Sequence, residues 1–336
     1  MKKHLFLLLS ILPVLLTGCQ DSPAPTPFKQ EAVRSPQPGD FPGDGWIGYA
    51  VAYSGFREGQ DPEGEMPTKA QIREDLHILA PHWSYIRLYA SNRPDTRLVL
   101  EVIEEDKLDL KVVLGAWLQC ETAGHYAYKD SYAAINEKEV QTAIALSREF
   151  GETVVAVTVG NEILVDWSFW PVPLERVIQL VQRVQKETGL PVSVADDYSA
   201  WASPGGVKLA DVVDFVFVHT HPIWHAKGIE DGFSDFLETF EQVRNAVGHD
   251  KRIIIGETGW ATLTDPPEKE PLHATGAGNE PDQERFFIEL HEWAIREGVP
   301  VFWFEAFDEP WKGEGTEGYW GLYSVDRKPR KVMQSK

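Results

Sequence analysis

The sequence predicts a single (β/α)8 barrel, and three observations carry that expectation. Eight short apolar runs follow one another along the chain, segments of helical period separate them, and no Gly-rich phosphate loop follows the first run. Such alternation is the signature of βα units. An open doubly wound sheet, the rival arrangement, usually carries that loop after its first strand.

The runs are Trp46 to Ala52, Tyr85 to Tyr89, Lys111 to Ala116, Val154 to Val159, Pro191 to Ala195, Phe215 to His219, Arg252 to Ile255 and Val301 to Phe304. Most are continuously apolar rather than alternating, as expected of parallel strands buried on both faces. The first helix has a recognisable start. Thr68 stands three residues before Gln71, a capping-box spacing, and Ile72, Leu76 and Leu79 follow on one face. Asn136 and Glu139 repeat the spacing ahead of Val140 and Ile144, which predicts a second capping box. Phe236, Leu237, Phe240 and Val243 mark a later helix, and Phe286, Phe287, Leu290 and Trp293 another.

The barrel is assigned residues 44–336. Ahead of it, Met1-Lys2-Lys3 and the apolar stretch from Leu5 to Leu16 read as a signal peptide over residues 1–18, too short for a spanning helix. Leu16-Thr17-Gly18-Cys19 resembles the bacterial lipobox, which implies lipid on Cys19, and Gln20 after it favours the outer membrane. Residues 19–43 are rich in proline and read as an extended tether. The expected location is therefore the cell envelope, with the lipid anchor as the sole contact with membrane. If Cys19 carries lipid, Cys120 has no disulfide partner.

With 43% hydrophobic and 25% charged residues, the chain has enough apolar content to bury a large core. Its formal charge of −20 disfavours nucleic acid and anionic surfaces as partners and suits a neutral polymer. A monomer is the expected state.

Reactive side chains of such a barrel belong at the C-terminal ends of the strands. That filter selects Tyr89, Asn161, Glu162, His219, His221, Glu257, Glu305, Asp308 and Glu309. Glu162 emerges from Val155-Ala156-Val157-Thr158-Val159-Gly160 with Asn161 beside it, and Glu257 emerges from Ile253-Ile254-Ile255-Gly256. Chains rarely place a lone charge at a buried strand end without a partner or a task. Strands four and seven face each other across the barrel, so the two carboxyls can converge on one cleft. Glycosidic cleavage uses such a pair, one as acid and one as nucleophile or base. Taken singly, each would read as a structural ion pair or a helix cap. Trp117, Trp201, Trp224, Trp260 and Trp311 fall just beyond strand ends and are expected to line the cleft, although packing under loops is the alternative for any one of them.

Two other readings exist. His219, His221 and His225 have a His-x-His-x3-His spacing that could serve zinc, but the carboxyl pair would then lack a role. A non-catalytic glycan-binding lipoprotein would have no reason to keep both Glu162 and Glu257.

At these residues the chain resembles glycoside hydrolase family 17. The resemblance is carried by Ile86-Arg87-Leu88-Tyr89, by Val159-Gly160-Asn161-Glu162, by Gly256-Glu257-Thr258-Gly259-Trp260 and, most specifically, by Phe302-Trp303-Phe304-Glu305-Ala306-Phe307-Asp308-Glu309-Pro310-Trp311-Lys312. It implies an enzyme that cleaves β-1,3-glucan with retention, Glu162 being acid/base and Glu257 nucleophile, or one that transfers glucan chains at the same site. It further implies that Asn161 bonds the sugar 2-hydroxyl, that Tyr89 orients the nucleophile, and that Glu305, Asp308, Glu309 and Lys312 shape the glycone side. Arg87, His219, His221, Trp201, Trp224 and Trp260 are expected on the substrate side. No cofactor and no metal are implied. The stretch His219-Thr220-His221-Pro222-Ile223-Trp224 departs from the family's Asn or aromatic before Pro-Tyr, so the subsite pattern is where this chain should differ.

Overall fold

The computed structural model describes residues 41, 43, 45–165, 167–264, 278–313 and 315–334. The predicted leader, Cys19 and nearly all of the predicted tether lie outside these residues. Eight parallel strands close into a barrel in sequence order: β1 Ala50–Ala52, β2 Tyr85–Leu88, β3 Lys111–Ala116, β4 Val154–Asn161, β5 Val192–Asp197, β6 Val216–His219, β7 Ile253–Thr258 and β8 Val301–Trp303, with β8 pairing back onto β1. Around them run α1 Lys69–Leu79, α2 Pro94–Glu105, α3 Tyr132–Glu149, α4 Leu174–Thr188, the short α5 Tyr198–Trp201 and α6 Pro204–Ala210, α7 Ile229–Val247, α8 Glu280–Glu297 and the terminal α9 Lys331–Gln334.

Every predicted strand is present, some trimmed. The first was expected from Trp46, but pairing begins at Ala50, because Gly48 adopts φ +107 and its Cα lies against Ser84, where a Cβ would come 2.7 Å from Oγ. The Thr68 and Gln71 capping box closes α1 as expected. The second predicted box does not exist. Asn136 and Glu139 lie inside α3, whose N-cap is Ser131, and both are buried. Their side chains instead serve neighbouring loops: Asn136 Oδ1 accepts from Gln119 N at 2.6 Å, and the Glu139 carboxylate accepts from the backbone of Ser91, Asn92 and Trp117.

Two apolar layers hold the barrel. The larger lies between strands and helices, and a smaller one fills the barrel interior with Ala50, Tyr85, Val113, Phe215, Phe217, Ile254 and Phe302. Phe41, assigned to the tether by its composition, closes this inner layer, its ring edge-on to Phe215 at 5.3 Å. Above these residues the interior turns polar, and there the site begins. Register shifts interrupt the pairing near the C-terminal ends of β4, β6 and β7. Irregularities of this kind re-aim side chains where a ladder ends.

Candidate active site

A large groove, about 1720 Å³ in volume, runs across the C-terminal face of the barrel, lined by Tyr89, Trp117, Asn161, Glu162, Asp197, His221, Trp224, Glu257, Glu309 and Lys312 among others. Its floor is built on Arg87. This side chain points up the barrel axis from β2 between the rings of Phe217 and Tyr89, at 5.2 and 4.6 Å, and is 1% exposed. From Nη1 it donates to Glu257 Oε1 at 2.6 Å and to the Gly256 carbonyl at 3.1 Å; from Nη2 it donates to Asn161 Oδ1 at 2.6 Å. A guanidinium has no acceptor, so Asn161 must turn its oxygen to Arg87 and keep its amide nitrogen for the groove.

His219, wholly buried, stands between the two carboxyls. Its Nδ1 lies 3.2 Å from Glu162 Oε1 and its Nε2 lies 3.4 Å from Glu257 Oε1. Nε2 also faces Arg87 Nη1 at 3.1 Å, and a donor there requires Nε2 to accept, which places the ring proton on Nδ1, donated to Glu162. Burial drives the imidazole down to about 3, so the ring is neutral in use.

The two carboxyls are pushed apart in acidity. Burial, and after it the negative charge of Glu257, raise Glu162 to about 8. Burial also opposes ionisation of Glu257, but His219, Arg87 and His221 together overturn this and hold it well below the usual carboxylate range. Because His219 is uncharged above about 3, the guanidinium supplies the compensating charge. One carboxyl is thus kept as an acid and the other as an anion, the division of labour general acid and nucleophilic chemistry needs.

Glu162 sits at φ 51, a left-handed conformation rare outside glycine, just after Gly160 at φ +90. Asp196 holds the turn: its Oδ2 accepts from the backbone of Ile163 and Leu164, each at 2.9 Å, and Glu162 N donates to the Ala195 carbonyl. Asp196 is buried, and its charge is disfavoured by that burial and by Glu162.

After β8, Lys312 Nζ reaches Glu305 Oε1 at 3.1 Å and Glu309 Oε2 at 2.5 Å. Burial and the neighbouring Glu309 push Glu305 well up. Glu309, despite burial, is held down to about 2 by Lys312 and by a hydrogen bond from Glu305. The trio packs two buried carboxyls against one ammonium, and of the three Glu309 and Lys312 line the groove.

Of the predicted site residues, Glu162, Glu257, Asn161, Tyr89, His221, Trp117, Trp224, Trp311, Glu309 and Lys312 meet at the groove. Others do not touch it. Arg87 and His219 lie beneath its floor, so they act on the carboxyls and not on substrate. Tyr89, expected to orient the nucleophile, is near enough to Glu257 to feel its charge, but its buried hydroxyl makes no hydrogen bond among the described residues, and the bond to Glu257 comes from Arg87. Trp201 and Trp260 are core residues. The indole of Trp201 donates to the Phe217 carbonyl, and Trp260 packs on Phe286 beneath α7 and α8. Asp308 is buried in an ion pair with Arg330 and accepts from Gly321 N, bracing the loop. Glu305 is buried behind Lys312. Of the three histidines of the zinc-like spacing, His219 and His221 each bring Nε2 to 3.4 Å from the Glu257 carboxylate, whereas His225 turns away with Nδ1 on Asp235 Oδ2 at 2.6 Å, and no metal-binding cluster forms among the described residues. The sequence reading missed Asp196 and Asp197 at the end of β5, and Trp167 and Trp170 in the loop after β4, which carries no periodic signal.

Beside the two carboxyls, the buried Tyr89 hydroxyl and His221 Nδ1 make no hydrogen bond among the described residues.

Residues 50–321 match the BtgE/BtgC glycoside hydrolase domain. A glucan 1,3-beta-glucosidase of Arthroderma benhamiae is 28% identical over 304 residues, covering 84% of this chain and 90% of that protein. The crystal structure of an endo-laminarinase from Formosa Hel1_33_131 superposes with a TM-score of 0.76 at 25% identity, covering 85% of each chain. That of a glycoside hydrolase family 17 β-1,3-glucanosyltransferase from Rhizomucor miehei does so at 0.68 and 20% identity, over 84% of this chain and 96% of the other.

Proposed function

We propose that this chain, which belongs to the BtgE/BtgC glycoside hydrolase domain family, is a family 17 enzyme that cleaves internal β-1,3-glucosidic bonds with retention. The observation that carries the reading is the convergence of two strand-end carboxyls on one imidazole, Glu162 at 3.2 Å and Glu257 at 3.4 Å from His219, with Arg87 donating to Glu257 alone of the two. The related glucosidase and the endo-laminarinase support the substrate, and the long open groove supports attack within a chain.

In the first step Glu162 gives its proton to the glycosidic oxygen, the bond from that oxygen to the anomeric carbon breaks, and Glu257 closes a covalent ester to the same carbon. Glu162, now anionic, takes a proton from water as the water oxygen attacks the anomeric carbon and releases Glu257. Arg87 keeps Glu257 ionised and fixed through both steps, and the Asn161 amide nitrogen is placed to bond the 2-hydroxyl as positive charge develops. A second sugar in place of water would give transfer from the same intermediate. The leader and Cys19 would tether this domain to the cell envelope.

The test is proton NMR of a laminarin digest. Reducing ends that first appear as the β-anomer, and none at all with Glu257→Ala, are expected. First-formed α-anomer would establish inversion and overturn the reading.

A further inference from the structure

Along the groove and past its end, five aromatic rings follow one another outward from the reacting centre. Tyr89 stands 6.5 Å from Trp117, Trp117 stands 5.7 Å from Trp170, Trp170 stands 6.3 Å from Phe169 and Phe169 stands 5.8 Å from Tyr126. The first three line the groove; Phe169 and Tyr126 lie past its end, 58% and 73% exposed. Large rings left in water beside a cleft mark a place where something lands.

The rings stand on a braced support. Phe169 and Trp170 belong to the loop after β4, Tyr126 and Trp117 to the loop after β3, and the two loops are stitched together where Glu121 N, Thr122 N and Thr122 Oγ1 all donate to the Pro171 carbonyl. Trp170 N donates to Ser168 Oγ, and Val172 N to the Ile163 carbonyl, one residue from Glu162. The shelf is thus fixed relative to the acid.

Its side of the groove is also fixed. The acid protonates the leaving oxygen, so the departing part of the chain lies on the Glu162 side, and both loops flank β4. We infer that Phe169 and Tyr126 form a distal subsite for sugar units of the leaving portion of a long β-1,3-glucan, several residues from the bond that breaks. The inference rests on the glucanase reading, and the occupant follows from continuity with the groove: the rings extend the line begun by Tyr89, and a neutral polymer suits a chain of charge −20. Stacking on flat apolar rings needs no charge on the ligand.

The test compares kcat/KM on laminaritriose, longer laminari-oligosaccharides and laminarin for the native protein and for the double substitution Phe169→Ala, Tyr126→Ala. Native kcat/KM should climb with chain length. The double variant should match native on the trisaccharide, which reports its fold, and fall roughly tenfold on laminarin. An equal loss at every length, a native-like length profile, or a sole effect on self-association in sedimentation would overturn the subsite. Failure of the native protein to cleave any of these β-1,3-glucans would instead overturn the glucanase reading.

Discussion

Arg87 donates to Glu257 at 2.6 Å from inside the barrel, where neither side chain is open to bulk water. An ion pair of this kind is costly to break from one side, because the surviving charge stays buried without compensation. Arg87→Met should therefore move the acid limb of the pH–rate profile upward, as Glu257 loses the charge that depresses it. Turnover at neutral pH should fall by roughly two to three orders of magnitude. Arg87→Lys keeps a cation but not the fork to Asn161, and should recover part of the loss. An unmoved acid limb in Arg87→Met would show that Glu257 does not depend on the guanidinium.

The full pH profile follows from the two carboxyls. Turnover needs Glu162 protonated and Glu257 ionised. Raising the pH removes the proton from Glu162, so kcat/KM should decline through about 8. Lowering it protonates Glu257 only below the ordinary carboxylate range, so activity should persist well into acid. A profile that declines already above pH 5 would mean Glu162 is not the group that must hold the proton.

Asp196 touches no substrate, yet it anchors the strained turn that carries the acid. With Asp196→Ala, Ile163 N and Leu164 N lose their acceptor and Glu162 can relax from φ 51. We expect kcat on laminarin to fall roughly tenfold or more, with KM little changed and a thermal midpoint lower by about 2–8 °C. Asp196→Asn retains one acceptor and should be milder. Aryl glucosides with activated leaving groups need no acid, so they should be spared. Equal losses on both substrates would point to general damage.

How much of this was legible follows from what each residue contributes locally. The strands were readable because a strand buried on both faces must be apolar throughout. A glutamate ending such a run stands out, so Glu162 and Glu257 were visible. Arg87 was visible as part of a motif, but nothing local says that a guanidinium will be enclosed by the barrel. Trp201 and Trp260 give the same sequence signal as Trp224, an indole just past a strand, and only packing separates core from groove. Asp196 precedes another aspartate and looks like a solvated pair, while its role depends on backbone one βα unit earlier in the chain. Asn136 and Glu139 mimicked a cap because the cap spacing equals one helical turn, which also lines up any two residues on one face.

The sharpest separation of acid from nucleophile comes from restoring a lost function with a small anion. Glu162→Ala removes the proton donor and leaves space beside the anomeric carbon. On laminarin, whose leaving group is a poor one, it should be inactive. On an aryl β-glucoside with an activated leaving group the ester to Glu257 still forms, since no proton is required, and then accumulates for want of a base. Azide needs no base to attack, so it should raise turnover, and its approach to the face the leaving group vacated gives a β-glycosyl azide. Glu257→Ala has no ester to release, and the same anion would attack the substrate directly and give the α-azide. Chromatography of the two products with NMR assignment of the anomer checks both assignments at once. A β-azide from Glu257→Ala and an α-azide from Glu162→Ala would exchange the two roles.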